Sequence, residues 1–255
     1  MSTPALTNRL KRKLRNGNTT LGLWVTLESP SITEIATDLD LDWVVIDAEH
    51  GHLDLKEIVE HLRAARNTGT TALVRIQEIE QGLIKRVLDI GAEGILVPQV
   101  RDAEEVAQAV RFAKYPPEGV RGIGAERSTR WGSRMKACVR AANWETMVIP
   151  LIENVDAERN IDAILEVPGI DAIFFGPADF SASAGFLGEW EGGDVAQRIL
   201  AIHKKARARK MPTGVVAASA KDGQMRKRQG FQMIGIGLDA PLLMRAAREM
   251  IGALR

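Results

Sequence analysis

The sequence predicts an α/β fold, a (β/α)8 TIM barrel in a single domain. Three observations carry that prediction. The chain has 255 residues, about the length of one such barrel. It contains eight apolar, Val/Ile-rich runs, each followed by a stretch with helical periodicity. The polar residues that interrupt or close those runs gather at their C-terminal ends, the face on which barrels build their sites.

The units follow in order. "GLWVTL" (22–27) precedes "SITEIATDL", "WVVIDAEH" precedes "LKEIVEHLRAARNTG", "TALVRIQ" precedes "QGLIKRVLDIG", and "GILVPQV" precedes "DAEEVAQAVRFAKYP". "TMVIPLIEN" precedes "AERNIDAILEVPG", and "IDAIFFGPADF" is followed after a Gly-rich stretch by "DVAQRILAIHKKARARK". "PTGVVAAS" precedes "KDGQMRKRQG", and "FQMIGIGL" precedes "APLLMRAAREMIGAL". Nearly continuous apolar strands are expected where both faces of a parallel sheet are covered. A doubly wound open sheet is the alternative. The missing GxGxxG after the first strand weakens its dinucleotide-binding form. An N-terminal amphipathic helix with Leu6, Leu10 and Leu14 precedes the first strand. Residues 116–145 and 181–194 exceed ordinary connections and are expected to be functional loops.

Composition narrows the function. Lys+Arg total 34 and Asp+Glu 33, a balance that argues against general nucleic-acid binding. The Arg-rich "GVRGIGAERSTRWGSR" is better read as anion capture or a subunit contact, with Arg121 and Arg127 able to reach an acidic substrate tail. The longest apolar run falls short of a membrane span. The basic N-terminus has no apolar stretch behind its charges, so no secretory signal is expected. The lone Cys138 suits a reducing compartment, and the cytoplasm is the expected location.

The strand ends bring together chemistry. His50, Arg75, Gln99, Glu153, Asp179 and Asp239 follow or close the second, third, fourth, fifth, sixth and eighth strands. Glu153 and Asp179 are hard oxygen donors on adjacent strands, suited to a divalent cation such as Mg²⁺ or Mn²⁺ that keeps waters or substrate oxygens. Their plain alternatives are a salt bridge for Glu153 and a helix N-cap for Asp179. In "FFGPAD", Gly176, Pro177 and Ala178 let the backbone N–H groups of Ala178 and Asp179 approach an anion beside the metal. His50 is a candidate general base, with Asp47, Glu49 and Asp89 as candidate partners. Arg75 offers a fixed charge and a planar donor fork for an oxyanion. His61 and His203 fall in helical patterns and are expected at the surface. Lys221, at a helix start, is the one nearby Schiff-base candidate, and its context reads as structural.

At "DWVVIDAEHGHLD", "LVRIQ", "GAEGILVPQV", "LIENVDAERNIDAILEVPGIDAIFFGPADFSASAG" and "GIGLD" the chain resembles the 4-hydroxy-2-oxoheptane-1,6-dioate aldolase family. These are class II, metal-dependent pyruvate aldolases that include 2-dehydro-3-deoxyglucarate aldolase. The resemblance implies Mg²⁺ or Mn²⁺, with Co²⁺ a third candidate, held by Glu153 and Asp179. It implies His50 as base with Asp89 as its dyad partner, and Arg75 stabilising an enolate oxygen. Trp24 would shape the pocket, and the pyruvate carboxylate would lie on the backbone amides around Ala178 and Asp179. It further implies a homo-oligomer, a hexamer built as a trimer of dimers that exchange the C-terminal helix. The expected reaction is retro-aldol cleavage of a 4-hydroxy-2-oxo acid to pyruvate and an aldehyde. Decarboxylation of an oxaloacetate-type 2-oxo acid at the same centre is the alternative. One departure stands out. Many relatives carry Gln two positions before the metal Glu, where this chain has Leu151, and Gln99 is the candidate to supply the lost polar contact.

Overall fold

The computed structural model describes residues 7–189 and 193–255. Eight parallel strands close on themselves in sequence order, with β8 hydrogen-bonded to β1. The strands are β1 (Thr20–Val25), β2 (Trp43–Asp47), β3 (Thr71–Arg75), β4 (Gly94–Val97), β5 (Met147–Ile152), β6 (Ile173–Phe175), β7 (Thr213–Val216) and β8 (Met233–Leu238). Closure removes both sheet edges, so the open doubly wound alternative falls.

Alternation along the strands sorts the apolar residues into two layers. Trp24, Trp43, Val45, Leu73, Leu96, Met147, Ile149, Leu151, Phe174 and Met233 fill the barrel interior. Their neighbours, such as Val44, Ile46, Val74 and Ile95, pack outward against the helices. Trp43 is completely buried, and Gly22 makes room for it: a Cβ there would lie 2.0 Å from the indole ring. Helix α1 (Arg9–Arg15) adds Leu10 and Leu14 to the interior cluster and plugs its N-terminal end. Leu6, expected on the same stripe, lies outside the described residues.

The outer helices begin where the sequence offers caps. Asp54 and Glu57 form a reciprocal capping box at α3 (Leu55–Ala64), and Asp102 accepts from the Glu105 N–H at α5 (Ala103–Ala113). The segment 116–145 is not one long loop. It holds a short 3₁₀ turn, Arg127–Thr129, and helix α6 (Met135–Glu145), which leads into β5. His61 and His203 are buried rather than exposed. Each has a threonine hydroxyl at 2.8 Å from its Nδ1, Thr33 and Thr213 respectively. His203 also stacks on Phe231, with ring centroids 4.0 Å apart. Helical position alone did not reveal that these rings turn inward, His61 toward Thr33 on the preceding helix and His203 toward Thr213 on β7.

The last helix, α12 (Asp239–Leu254), is anchored through its first turn, where Asp239 is buried and Leu242 packs against the core. The Asp239 carboxylate accepts from the N–H groups of Thr26, Leu27 and Ala240 and from the Thr26 hydroxyl, tying β8 to the loop after β1. Beyond that point Leu243, Met244, Met250, Ile251 and Leu254 are exposed. No helix among the described residues is long and apolar enough to cross a membrane.

Candidate active site

Each strand delivers its last residues to the C-terminal mouth of the barrel. A cavity of about 440 Å³ opens there, lined by His50, Arg75, Glu153, Asp179, Trp24 and Leu151, with the Gly176–Ala178 turn. Residues far apart in sequence therefore converge because parallel strands share one C-terminal face.

Parallel register sets Asp47 at the end of β2 beside Arg75 at the end of β3. The pair exchanges a two-pronged ion pair: Arg75 Nε donates to Asp47 Oδ1 at 2.9 Å and Nη2 donates to Oδ2. The remaining Nη1 lies 2.9 Å from Glu49 Oε2. Trp24 Nε1 donates to Asp47 Oδ2 at 3.1 Å, and the Arg75 guanidinium lies over the Trp24 ring at 5.1 Å. Burial would raise the Asp47 carboxyl, but the hydrogen bonds and charge of Arg75 hold it below its usual value. Asp47 Oδ1 also accepts the N–H groups of Glu49 and His50, which bends the chain so that His50 reaches the cavity. Burial raises the Glu49 carboxyl, against the pull of Arg75 and His50.

Glu153 follows β5 and is almost completely buried. Its Oε1 accepts the Gln99 N–H at 2.7 Å. Burial, then the carboxylates of Glu49 and Asp179, push it up to about 7. Gly176 permits this placement, since a Cβ there would lie 2.5 Å from Glu153 Oε2. Asp179 sits in the first turn of α9 (Pro177–Ser183), whose Pro177 needs no hydrogen-bond acceptor at that position.

The donor set fits a hard divalent cation. No group of three or more His, Cys, Asp or Glu side chains able to hold a metal occurs among the described residues. Two carboxylates on one cavity wall leave positions for water or substrate oxygen, the usual pattern for Mg²⁺-like ions. A cation there also offsets the burial and repulsion that raise Glu153.

Three expected placements do not hold within the chain. Asp89 ends α4 (Gln81–Asp89), at the opposite end of the barrel, and its Oδ1 accepts from Arg121 Nη2 at 2.7 Å. It is not beside His50. A helix C-terminus precedes the next strand's start, so "RVLDIG" could not reach the C-terminal mouth of its own barrel. Gln99 contributes its backbone N–H, with a positive φ of 52°, while its side chain is exposed and off the cavity wall. Leu151 therefore leaves an apolar wall that Gln99 does not repair. Arg121 is buried against Asp89 and Tyr115, and Arg127 donates to the Ile90 carbonyl at 2.7 Å. Neither lines the cavity.

Two features went unread in sequence. The clamp of Asp47 and Glu49 on Arg75 was signalled only by the strand register. Leu238, Leu242 and Arg245 from the β8–α12 corner complete the wall, and nothing in their local pattern marked them.

The chain has known relatives along almost its whole length. The model of the HpcH/HpaI aldolase/citrate lyase family matches residues 20–246. A hydroxypyruvate/pyruvate aldolase from Pseudomonas aeruginosa is 35% identical over 97% of this chain and 93% of its own length. A 2-keto-3-deoxy-L-rhamnonate aldolase from Klebsiella pneumoniae is 37% identical over 94% of this chain and 91% of its own. The crystal structure of a family member from Burkholderia cenocepacia superposes with a TM-score of 0.93 at 30% identity, covering 98% of this chain and 100% of that one.

Proposed function

The chain belongs to the HpcH/HpaI aldolase/citrate lyase family, and on that premise we propose that it is a class II pyruvate aldolase. It would cleave a 4-hydroxy-2-oxo acid reversibly to pyruvate and an aldehyde. The observation that carries this reading is the convergence of Glu153, Asp179, His50 and Arg75 on one cavity. The relatives named as aldolases for pyruvate and for a 2-keto-3-deoxy sugar acid support the substrate class.

Glu153 and Asp179 would hold Mg²⁺, Mn²⁺ or Co²⁺, which when bound polarises the 2-oxo group and stabilises enolate charge. Arg75 supplies a second positive group at the same place. Its clamp by Asp47 and Glu49 fixes it in advance, so no reorganisation is needed as charge develops. His50 takes the proton of the C4 hydroxyl as the C3–C4 bond breaks, and the electrons of that bond pass to the enolate. Glu49, its immediate neighbour, stabilises the imidazolium. The N–H groups of Ala178 and Asp179, outside the helical bonding that starts at Phe180, receive the substrate carboxylate. Trp24 and Leu151 form the apolar side on which the chain of the substrate rests.

The exposed apolar face of α12 supports a homo-oligomer, a hexamer built from dimers that exchange this helix. The single cysteine of the sequence, Cys138, supports a cytoplasmic location.

The test is coupled detection of pyruvate from a panel of 4-hydroxy-2-oxo acids and oxaloacetate. Cleavage of at least one hydroxy-oxo acid, abolished by chelator and restored by Mn²⁺, Mg²⁺ or Co²⁺, is expected. Full turnover without metal, or borohydride trapping of pyruvate on a lysine, would reject it. Release from oxaloacetate alone would reassign the chain to decarboxylation.

A further inference from the structure

We propose that the N-terminal end of the barrel carries a second binding site, built for a phosphate-class oxyanion. A cavity of about 250 Å³ opens there, walled by the start of the described chain, the α3–β3 and α4–β4 loops and the 3₁₀ turn. It shares no residue with the wall of the candidate active site.

Four guanidinium groups line it: Arg9, Arg66, Arg127 and Arg130. None pairs with a carboxylate among the described residues. Arg75, Arg121 and Arg198, by contrast, are each ion-paired. Arg66 instead lies 5.8 Å from the centroid of Trp131, whose ring is exposed at the lip of the cavity. Arg127 is partly buried, and burial followed by the like charges of Arg66, Arg63 and Arg130 lowers it below the usual arginine range. Arg9 and Arg66 are exposed and Arg127 and Arg130 half-buried, so the four charges face the cavity mouth with an attraction for an anion.

Two buried hydroxyls make the same point independently. Thr7 Oγ1 and Ser128 Oγ are both shielded from solvent and lack a hydrogen-bond partner, and both residues line this cavity. A shielded hydroxyl without a partner calls for one, and an oxyanion in this cavity would accept from both. One carboxylate, Glu93, also lines the cavity. Its Oε1 accepts the Ala72 N–H at 3.2 Å, and burial raises it to about 7. It therefore cancels at most one of four positive charges.

The donor arrangement selects the ligand class. A planar carboxylate is satisfied by a single guanidinium fork. Guanidiniums contributed by separate segments, together with two hydroxyls, suit a tetrahedral oxyanion with two negative charges and several acceptor oxygens. Free phosphate and the phosphoryl end of a small metabolite present the same chemistry.

The experiment is calorimetric titration of the full-length protein with inorganic phosphate at constant ionic strength, with and without chelator, and in parallel with glycerol 3-phosphate. Saturable binding to one site per chain is expected in the wild type and in Arg75→Ala, and it should be indifferent to chelator. The Arg66→Ala/Arg130→Ala double variant should bind at least about tenfold more weakly, since each lost charged hydrogen bond is worth roughly that factor. Ser128→Ala should weaken binding without changing the melting temperature by more than about 2 °C. Tighter binding of glycerol 3-phosphate assigns the site to a phosphorylated metabolite, and equal or weaker binding assigns it to free phosphate. Absence of saturable binding, retention of full affinity in the double variant, or loss of binding with chelator or in Arg75→Ala would each overturn the proposal.

Discussion

The Asp47→Asn substitution tests the Arg75 clamp most directly. Asp47 is 1% exposed. Its carboxylate accepts two donors from Arg75, one from Trp24 and the backbone N–H groups of Glu49 and His50. The amide keeps the shape and part of the hydrogen bonding but removes the charge that neutralises a guanidinium whose side chain is 8% exposed. Breaking a buried pair costs about 3–5 kcal/mol. The lower end applies here, because Glu49 still faces Nη1. For a chain of this length the unfolding entropy is about 0.5 kcal/mol per K, so about 3 kcal/mol lowers Tm by about 6 °C. Arg75 would also lose its fixed orientation, and loss of one preorganised oxyanion donor costs about a hundredfold or more in kcat. The pH dependence carries a sign. The folded Asp47 carboxyl lies below its ordinary 3.8, so its contribution is present above that value and is lost only as pH falls through the lower folded value. The Tm gap between wild type and variant should therefore stay constant from pH 7 to pH 5. A Tm within 1 °C of wild type, a kcat within a factor of two, or a gap that closes by pH 5 would refute the clamp.

The remaining predictions address other parts of the molecule. His50→Ala should lower kcat for cleavage by about 10²–10⁴ while leaving calorimetric Mn²⁺ affinity within a factor of three; unchanged kcat removes His50 from the base role. Glu93 is raised from 4.5 to about 7 by burial, so its folded form binds the proton more tightly. The stability this gives is fully present below pH 4.5 and is lost as pH rises through 7. Urea unfolding of Glu93→Gln should lack that decline, whose ceiling of about 3 kcal/mol is reduced by the partial exposure of the side chain; parallel profiles for both proteins would exclude it. Leu243→Asp combined with Met250→Asp on the exposed face of α12 should shift the mass measured by light scattering to a smaller species; an unchanged mass removes the helix from the interface.

What sequence could and could not reveal divides along a physical line. Strand existence was legible because both faces of each strand are buried, which leaves apolar runs such as "TALVR" and "MVIPLI" with few competing readings. The placement of Glu153 and Arg75 followed from the same fact, since a charged residue ending such a run must lie at its mouth. Contacts across the barrel were not legible. Asp47 and Arg75 are 28 residues apart, and only the register Asp47↔Arg75 pairs them. Asp89 lies away from the mouth of its own barrel for the complementary reason. A motif names residue types, whereas the direction of α4 decides which end of the barrel the side chain occupies. His61 and His203 show a third limit, because the partner that makes a buried imidazole tolerable lies on another element.

The charge arrangement at the C-terminal mouth bears on the cation as strongly as the motif does. Among the described residues, Asp47, Glu49, Glu153 and Asp179 are set against two guanidiniums, Arg75 and the Arg245 of the rim. Fully ionised, the site carries an excess of two negative charges. A 2-oxo acid entering with its own carboxylate would be repelled by that field. Protonating Glu153, whose pKa of about 7 allows it, relieves one charge but removes an oxygen donor from the wall. A divalent cation relieves both and keeps the donors ionised. Glu153→Gln has opposite expected outcomes for the two routes. If protonation alone prepared the site, the neutral amide would mimic it and substrate would still bind. If the cation does so, the variant loses both metal and substrate affinity, and oxalate, a dianionic mimic of the enolate, would bind the wild type only when Mn²⁺ is present.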